Sequence, residues 1–200
     1  MQFFLDIDGV LLNFEGAFVR FLNRTYGMDL PERYETGSWF FDDLLTREEM
    51  YERWQAFLDS RDSGQMEALV APARFNALTA GNPVHLLTNF PEPYMEKREA
   101  NLAALGFRYD SLHFCGLHAY RDKVPPSKGE IVAKLRDPER PGFFIDDHPD
   151  NCLDVLERCG DVEVWVMSRF FNREFTHPKV RRAADWPSLF ARLAPNGSPG

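Results

Sequence analysis

Apolar positions along the chain fall into two rhythms. Short unbroken runs occur at "QFFLDI" (2–7), "VHLLT" (84–88), "GFFID" (142–146) and "VEVWVM" (162–167), with a weaker fifth at "SLHFCG" (111–116). Runs of this length, bounded by Gly, Pro, Asn or Asp, predict strands of a parallel sheet covered on both faces. Between them the spacing turns helical. Residues 93–106 set Met95, Leu102 and Leu105 among charged residues and stop at Gly106. Residues 127–137 open on Ser127, an N-cap residue type, and place Ile131, Val132 and Leu135 on one face. Residues 151–160 repeat that design. Strand and helix alternate from about residue 71 onward, which predicts a doubly wound α/β fold.

Residues 14 to about 70 break the alternation. Two helical patterns, "FEGAFVRFLNRTYG" and "TREEMYERWQAFLDS", flank an aromatic "GSWFFDD", and no strong strand appears. The expected organisation is a core formed by 1–14 and 71–194, a helical insertion over 15–70, and a frayed polar tail at 195–200. No internal repeat or low-complexity segment is visible.

Composition narrows this picture. With 200 residues, 44% hydrophobic and 27% charged, the chain suits one sizeable domain with a small accessory piece. A formal net charge of -8 disfavours nucleic-acid polymers and anionic membrane surfaces, but leaves room for a small phosphorylated metabolite in a locally positive pocket. Three cysteines, Cys115, Cys152 and Cys159, lack zinc-like spacing. Their odd number, with Asp6 and Asp8 interrupting the first apolar run where a secretory leader would be unbroken, leads us to expect reduced thiols in a cytoplasm. No window reaches the roughly 18 apolar residues of a membrane helix. Oligomeric state is not encoded in any pattern found.

In an open parallel sheet, ligands bind beyond the carboxyl ends of the strands, so the chemistry lies in what each run ends with. The first ends with Asp6 and Asp8, followed by Gly9; the second with Thr88 and Asn89; the fourth with Asp146 and Asp147. Lys128 sits at a helix start just before the fourth. Buried carboxylates side by side are costly unless a positive charge lies between them. Clustered carboxylates, a hydroxyl and a lysine suit a hard divalent cation such as Mg²⁺, whose shell a substrate phosphate often completes.

"DIDGV" after an apolar strand, "LLTN" ending a second, "SKGE" opening a helix and "FFIDDHPDN" closing a fourth resemble, in order, the four signatures of the haloacid dehalogenase superfamily. The resemblance spans about residues 2–151. It implies a Rossmann-like core with a small helical cap inserted after the first strand. It also implies a Mg²⁺-dependent phosphomonoester hydrolase acting through an aspartyl-phosphate. Asp6 would be the nucleophile and Asp8 the general acid/base, its backbone carbonyl also reaching the metal. Because the family's dehalogenases lack the second acid, Asp8 favours phosphoryl transfer. Thr88, with amides near Asn89, would hold a phosphoryl oxygen, and Lys128 would hold nucleophile and phosphate. Gly9 would let the chain turn beside the site. "DGVLLNFEGAFVRFLN" resembles the small-cap branch that includes 5'(3')-deoxyribonucleotidases, which implies a nucleoside monophosphate. Sugar phosphates, a phosphotransferase or phosphomutase activity, and a catalytically silent binding module are the alternatives.

Several assignments stay double. The family's register puts Asp147 on the metal and Asn151 at the later position, with Asp146 orienting a water or sharing the ion and Asp150 as an outer candidate. Asp146 and Asp147 can equally be read as an N-cap and first-turn acid. Lys123 in "RDKVPPSK" competes with Lys128, which the helix pattern favours. His148 reads as a loop residue beside a hard, oxygen-preferring site. Phe170 and Phe171 read as packing, with Arg169, Asn172 or Arg173 at the pocket edge. Trp39, Phe40 and Phe41 are either core of the insertion or an aromatic lid over a substrate ring.

Overall fold

The computed structural model describes residues 1–31, 34–116 and 124–193. Among these residues six strands form one sheet: β1 (Gln2–Leu5), β2 (Val84–Thr88), β3 (Ser111–Phe114), β4 (Gly142–Asp146), β5 (Val162–Met167) and β6 (Val180–Ala183). Their order is β3-β2-β1-β4-β5-β6, and every neighbouring pair is parallel. All five predicted strands are present. β6 was not predicted, because "VRRA" carries two exposed arginines on a sheet edge, where charge discourages further pairing.

Among the described residues seven α-helices accompany the strands: α1 (Phe14–Tyr26), α2 (Arg47–Asp59), α3 (Pro72–Thr79), α4 (Met95–Leu105), α5 (Lys128–Leu135), α6 (Pro149–Arg158) and α7 (Trp186–Leu193). Local chemistry fixes their ends. Asn13 caps α1 by accepting from the Gly16 amide, and Gly27 ends it in the left-handed conformation. Thr46 with Glu49, and Ser127 with Glu130, form capping boxes at α2 and α5. Gly106 stops α4 as its sequence predicts.

Strand periodicity sorts side chains onto two faces. Phe3, Leu5, Ile7, Leu86, Ile145 and Trp165 belong to one buried cluster, which α1, α2, α4 and α7 complete. Phe4, Leu87, Phe144, Val164 and Val166 belong to a second, closed by α5 and α6. Both faces of β1 are thus covered, which explains why its sequence is a continuous apolar run rather than an alternation.

Between β1 and β2 the described elements are helical. Phe18 lies at the centre of their packing, with ring centroids 5.3 Å from Phe41 and 5.4 Å from Phe57. These rings share the cluster of Phe3, Leu5 and Ile7, so the insertion and one sheet face have a common core. The chain leaves and returns side by side: the Asn13 amide donates to the Glu67 carbonyl, and the Leu69 amide to that of Leu11. Helix α4 grips the returning segment. Lys97 donates to the carbonyls of Leu58, Asp59 and Ser60 at the C-terminal end of α2, where a cation is favoured, and Asn101 bonds both backbone groups of Met66. Among the described residues no helix is long and apolar enough to cross a membrane. The expected tail at 195–200 and the alternative Lys123 lie outside the described residues.

Candidate active site

The site forms where β1 and β4 end. The Asp6 amide still donates to the Ile145 carbonyl (2.9 Å), so Asp6 continues the ladder and shares the face of Phe4. The chain then turns within a few residues, as the amides of Leu11 and Leu12 both return to the Ile7 carbonyl at 2.8 Å. Gly9 makes the turn possible in two ways. Its φ is +79°, and a Cβ at that position would lie 1.8 Å from Asp147 Oδ2.

Asp146 leaves β4 on the face that α5 and α6 cover, the same face as Asp6. Lys128, the first residue of α5, rises from that side. Its ammonium lies 2.8 Å from Asp6 Oδ1 and 2.7 Å from Asp146 Oδ2, and its side chain is fully buried. Gly129 allows this placement. Its amide bonds Asp154 Oδ2, and any Cβ there would lie 2.7 Å from the Asp154 carbonyl, so only glycine lets α5 approach α6 so closely.

The paired acids differ in their surroundings. Asp146 accepts from Lys128, from the His148 amide (2.8 Å) and from Asn151 Nδ2 (3.2 Å to each oxygen), which leaves its carboxylate fully engaged. Asp147 is anchored only through its backbone, whose carbonyl accepts from the buried Asn172 side chain (2.6 Å). No hydrogen bond reaches its carboxylate among the described residues. Asn151 thus serves Asp146. The Asp150 side chain, 63% exposed, stands away from the cluster. Neither Asp146 nor Asp147 caps a helix; His148 caps α6, its Nδ1 accepting from the Asp150 amide. The N-cap reading of the acidic pair is corrected accordingly: the helix begins at Pro149, two residues too late for it.

Asp8 faces the opposite way. One oxygen lies 2.8 Å from the Arg98 guanidinium and the other 3.5 Å from the Thr88 hydroxyl. Thr88 also accepts from the Phe90 amide and is itself wholly buried.

Burial dominates the electrostatics. Desolvation lifts Asp6 from 3.8 to about 7, against the pull of Lys128 and with the push of Asp146. Desolvation, with Asp6 and Asp146 nearby, drives Asp147 well above the ordinary carboxylate range, and desolvation also raises Asp8. With every group ionised, Asp6, Asp8, Asp146, Asp147 and neighbouring Glu15 outnumber Lys128, Arg98 and Arg169 by two, the charge of one divalent cation. One oxygen each from Asp6, Asp146 and Asp147 lies within 4.8 Å of the others, all three residues being buried. An all-oxygen cluster with this charge deficit fits a hard divalent ion, with Asp6 and the unbonded Asp147 carboxylate as the oxygens free to hold it.

A cavity of about 450 Å³ opens onto this cluster. Asp6, Asp8, Gly9, Asn89 and Asp147 line one part of it. Phe14, Trp39, Phe40, Tyr51, Trp54 and Phe171 give the remainder an aromatic wall, with Arg47 over the Phe40 ring at 4.2 Å. Trp39 meets His148 edge-on at 5.1 Å. Phe41 touches the cavity but is only 2% exposed and packs on Phe18 and Tyr34, so it is chiefly core. Thr88, Lys128 and Asp146 lie behind the cavity wall, each with no exposed surface. Arg169 donates to the carbonyls of Ser168 and Gly9, bracing the Asp8–Gly9 turn. Arg173 packs on Phe170 and pairs with Glu174, apart from the cavity.

Two residues here have no conspicuous sequence signal. Arg98 sits in "EKREAN", where a charge reads as a solvated helix face, yet it is fully buried. Glu15, in the first turn of α1, lines the cavity, its carboxyl raised by burial and opposed by Arg169.

No protein-family model matches the chain, and no curated protein matches it. Solved structures do. CbbY from Rhodobacter sphaeroides, solved with phosphate, is 18% identical over 94% of this chain and 95% of its own, with a TM-score of 0.58. The putative hydrolase YfnB from Bacillus subtilis, bound to magnesium, is 14% identical over 96% and 98%, also at 0.58. L-2-haloacid dehalogenase from Xanthobacter autotrophicus is 13% identical over 96% and 87%, at 0.55. The fold is therefore the Rossmann-like α/β fold of the haloacid dehalogenase-like hydrolases.

Proposed function

We propose that this chain is a Mg²⁺-dependent phosphomonoester hydrolase that works through an aspartyl-phosphate on Asp6. The observation that carries this reading is the pairing of Asp6, buried and held by Lys128, with a second acid, Asp8, at the same cavity but on separate partners. Asp6 and Asp147, with the Asp8 backbone carbonyl, would hold the cation, which when bound offsets charge on the phosphoryl oxygens. Asp6 attacks phosphorus, and the bond from phosphorus to the ester oxygen breaks. That oxygen takes a proton from Asp8. Asp8 then removes a proton from water, the water oxygen attacks phosphorus, and the bond to Asp6 breaks. Lys128 keeps Asp6 oriented and steadies the transferring charge. Asp8 also favours phosphoryl transfer over the dehalogenation performed by some proteins of this fold.

Residues 15–70 act in this reading as a cap that closes over the site and selects the substrate. The aromatic wall supports a substrate carrying a ring, and a nucleoside monophosphate combines ring and phosphate at a size suited to the cavity. Sugar phosphates are the alternative within the same chemistry. Three buried, unpaired thiols fit a cytoplasmic setting. A panel of nucleotides and sugar phosphates, assayed for phosphate release with Mg²⁺, tests the proposal. Release from at least one ester, abolished in Asp6→Asn, is expected. No release from any ester, or an active Asp6→Asn protein, overturns it. Transfer of phosphate between substrates without release identifies a phosphotransferase.

A further inference from the structure

Arg98 is the largest fully buried side chain among the described residues, and it is cationic. Burying a guanidinium is costly unless its partners repay the lost hydration. Those partners form a closed circuit around the Asp8 carboxylate. The Arg98 NH2 group lies 2.8 Å from Asp8 Oδ1, off the N–H axis, so the contact is an ion pair rather than an aligned hydrogen bond. The other Asp8 oxygen faces Thr88, Thr88 accepts from the Phe90 amide, and the Phe90 ring stacks under the guanidinium at 3.9 Å. Both Asp8 oxygens are thus held from behind, while its side chain keeps 20% exposure toward the cavity. The Arg98 NH1 group reaches a third place, the carbonyl of buried Ser63 (3.2 Å), in the turn that follows α2.

We propose that Arg98 is a positioning residue for the reaction. It fixes the Asp8 carboxylate in the one orientation that meets the ester oxygen, and it ties that orientation to the insertion through Ser63. This rests on Asp8 being the general acid, as in the function proposed above. A merely structural Arg98 would stabilise the α4 and Ser63 packing without regard to the leaving group. A positioning Arg98 acts through proton donation, and proton donation matters only when the departing oxygen needs it.

Arg98→Met and Arg98→Lys proteins are compared with the wild type on an alkyl phosphate and on p-nitrophenyl phosphate, reading kcat/KM, which reports the first phosphoryl transfer. For Arg98→Met we expect a loss of about 30-fold or more on the alkyl ester, within the range general acid catalysis supplies, and at most about fivefold on the nitrophenyl ester. Arg98→Lys should recover part of the alkyl-ester loss. Equal losses on both esters, or none, overturn the proposal. A crystal structure of Arg98→Met supplies a readout independent of turnover: the Asp8 side chain should leave its present rotamer, and an unmoved Asp8 overturns the proposal. Wild-type protein inactive on every ester overturns the proposed function instead, and the Asp8 rotamer still decides the positioning role.

Discussion

At the scale of residues, Gly9 and Lys128 carry consequences out of proportion to their size. A methyl group at position 9 would fall on the Asp147 carboxylate, and the positive φ disfavours any side chain there. Gly9→Ala should therefore weaken metal binding at least tenfold, measured by titration calorimetry, with a smaller change in melting temperature. Lys128 balances two buried acids, so Lys128→Met should destabilise the protein by about 3–5 kcal/mol, the cost of leaving a buried charge unpaired, read by urea denaturation. The aromatic residues divide similarly. Phe41→Ala should cost about 3–5 kcal/mol because Phe41 is core, whereas Trp39→Ala should alter KM across the ester panel and leave stability within about 1 kcal/mol. At this scale the sequence revealed the acids and the lysine but not their division of labour. Nothing in "IDDHPDN" says that Asp146 is spent on Lys128, Asn151 and the His148 amide while Asp147 is not. Arg98 was hidden for a different reason: helix periodicity marks apolar residues as buried, and it has no way to mark a buried cation.

At the scale of elements, caps and close approaches set where the reactive groups point. The Ser127 capping box begins α5 one residue before Lys128, so the lysine leaves the helix from its first turn. Ser127→Ala should cost about 1 kcal/mol of stability, measured by denaturant unfolding, and should lower kcat more than it raises KM by loosening the lysine's base. The central strands were legible because burial on both faces demands unbroken apolar runs. β6 was not, since an edge strand needs no such run and Arg181 and Arg182 serve it better. α3 and α7 were not read from the sequence, and α3 has no side-chain cap to announce its start.

At the scale of the whole molecule, charge couples stability to pH and metal. Asp6 keeps its proton to about pH 7 in the folded chain but releases it near 3.8 when unfolded, and Asp147 is raised in the same sense. Asp6 contributes its full stability below about pH 4 and loses it as pH rises through about 7, and Asp147 acts in the same direction. In chelator, the part of stability owed to this site should thus fall across that window. Added Mg²⁺ should restore it, so the metal-induced rise in melting temperature should be larger at pH 7.5 than at pH 5. A gain that is equal at both values would contradict this account.

The position of β1 bears on how the chain is made. Phe3 pairs with Val84 on one side and Phe143 on the other. Strand β1 is therefore synthesised roughly 140 residues before its second neighbour. Until then that edge of β1 lacks its native partner. Contacts this distant along the sequence slow folding and lengthen exposure to aggregation. Substitutions that delay the docking of residues 142–146 should therefore lower yield in a cell even where they leave the site intact.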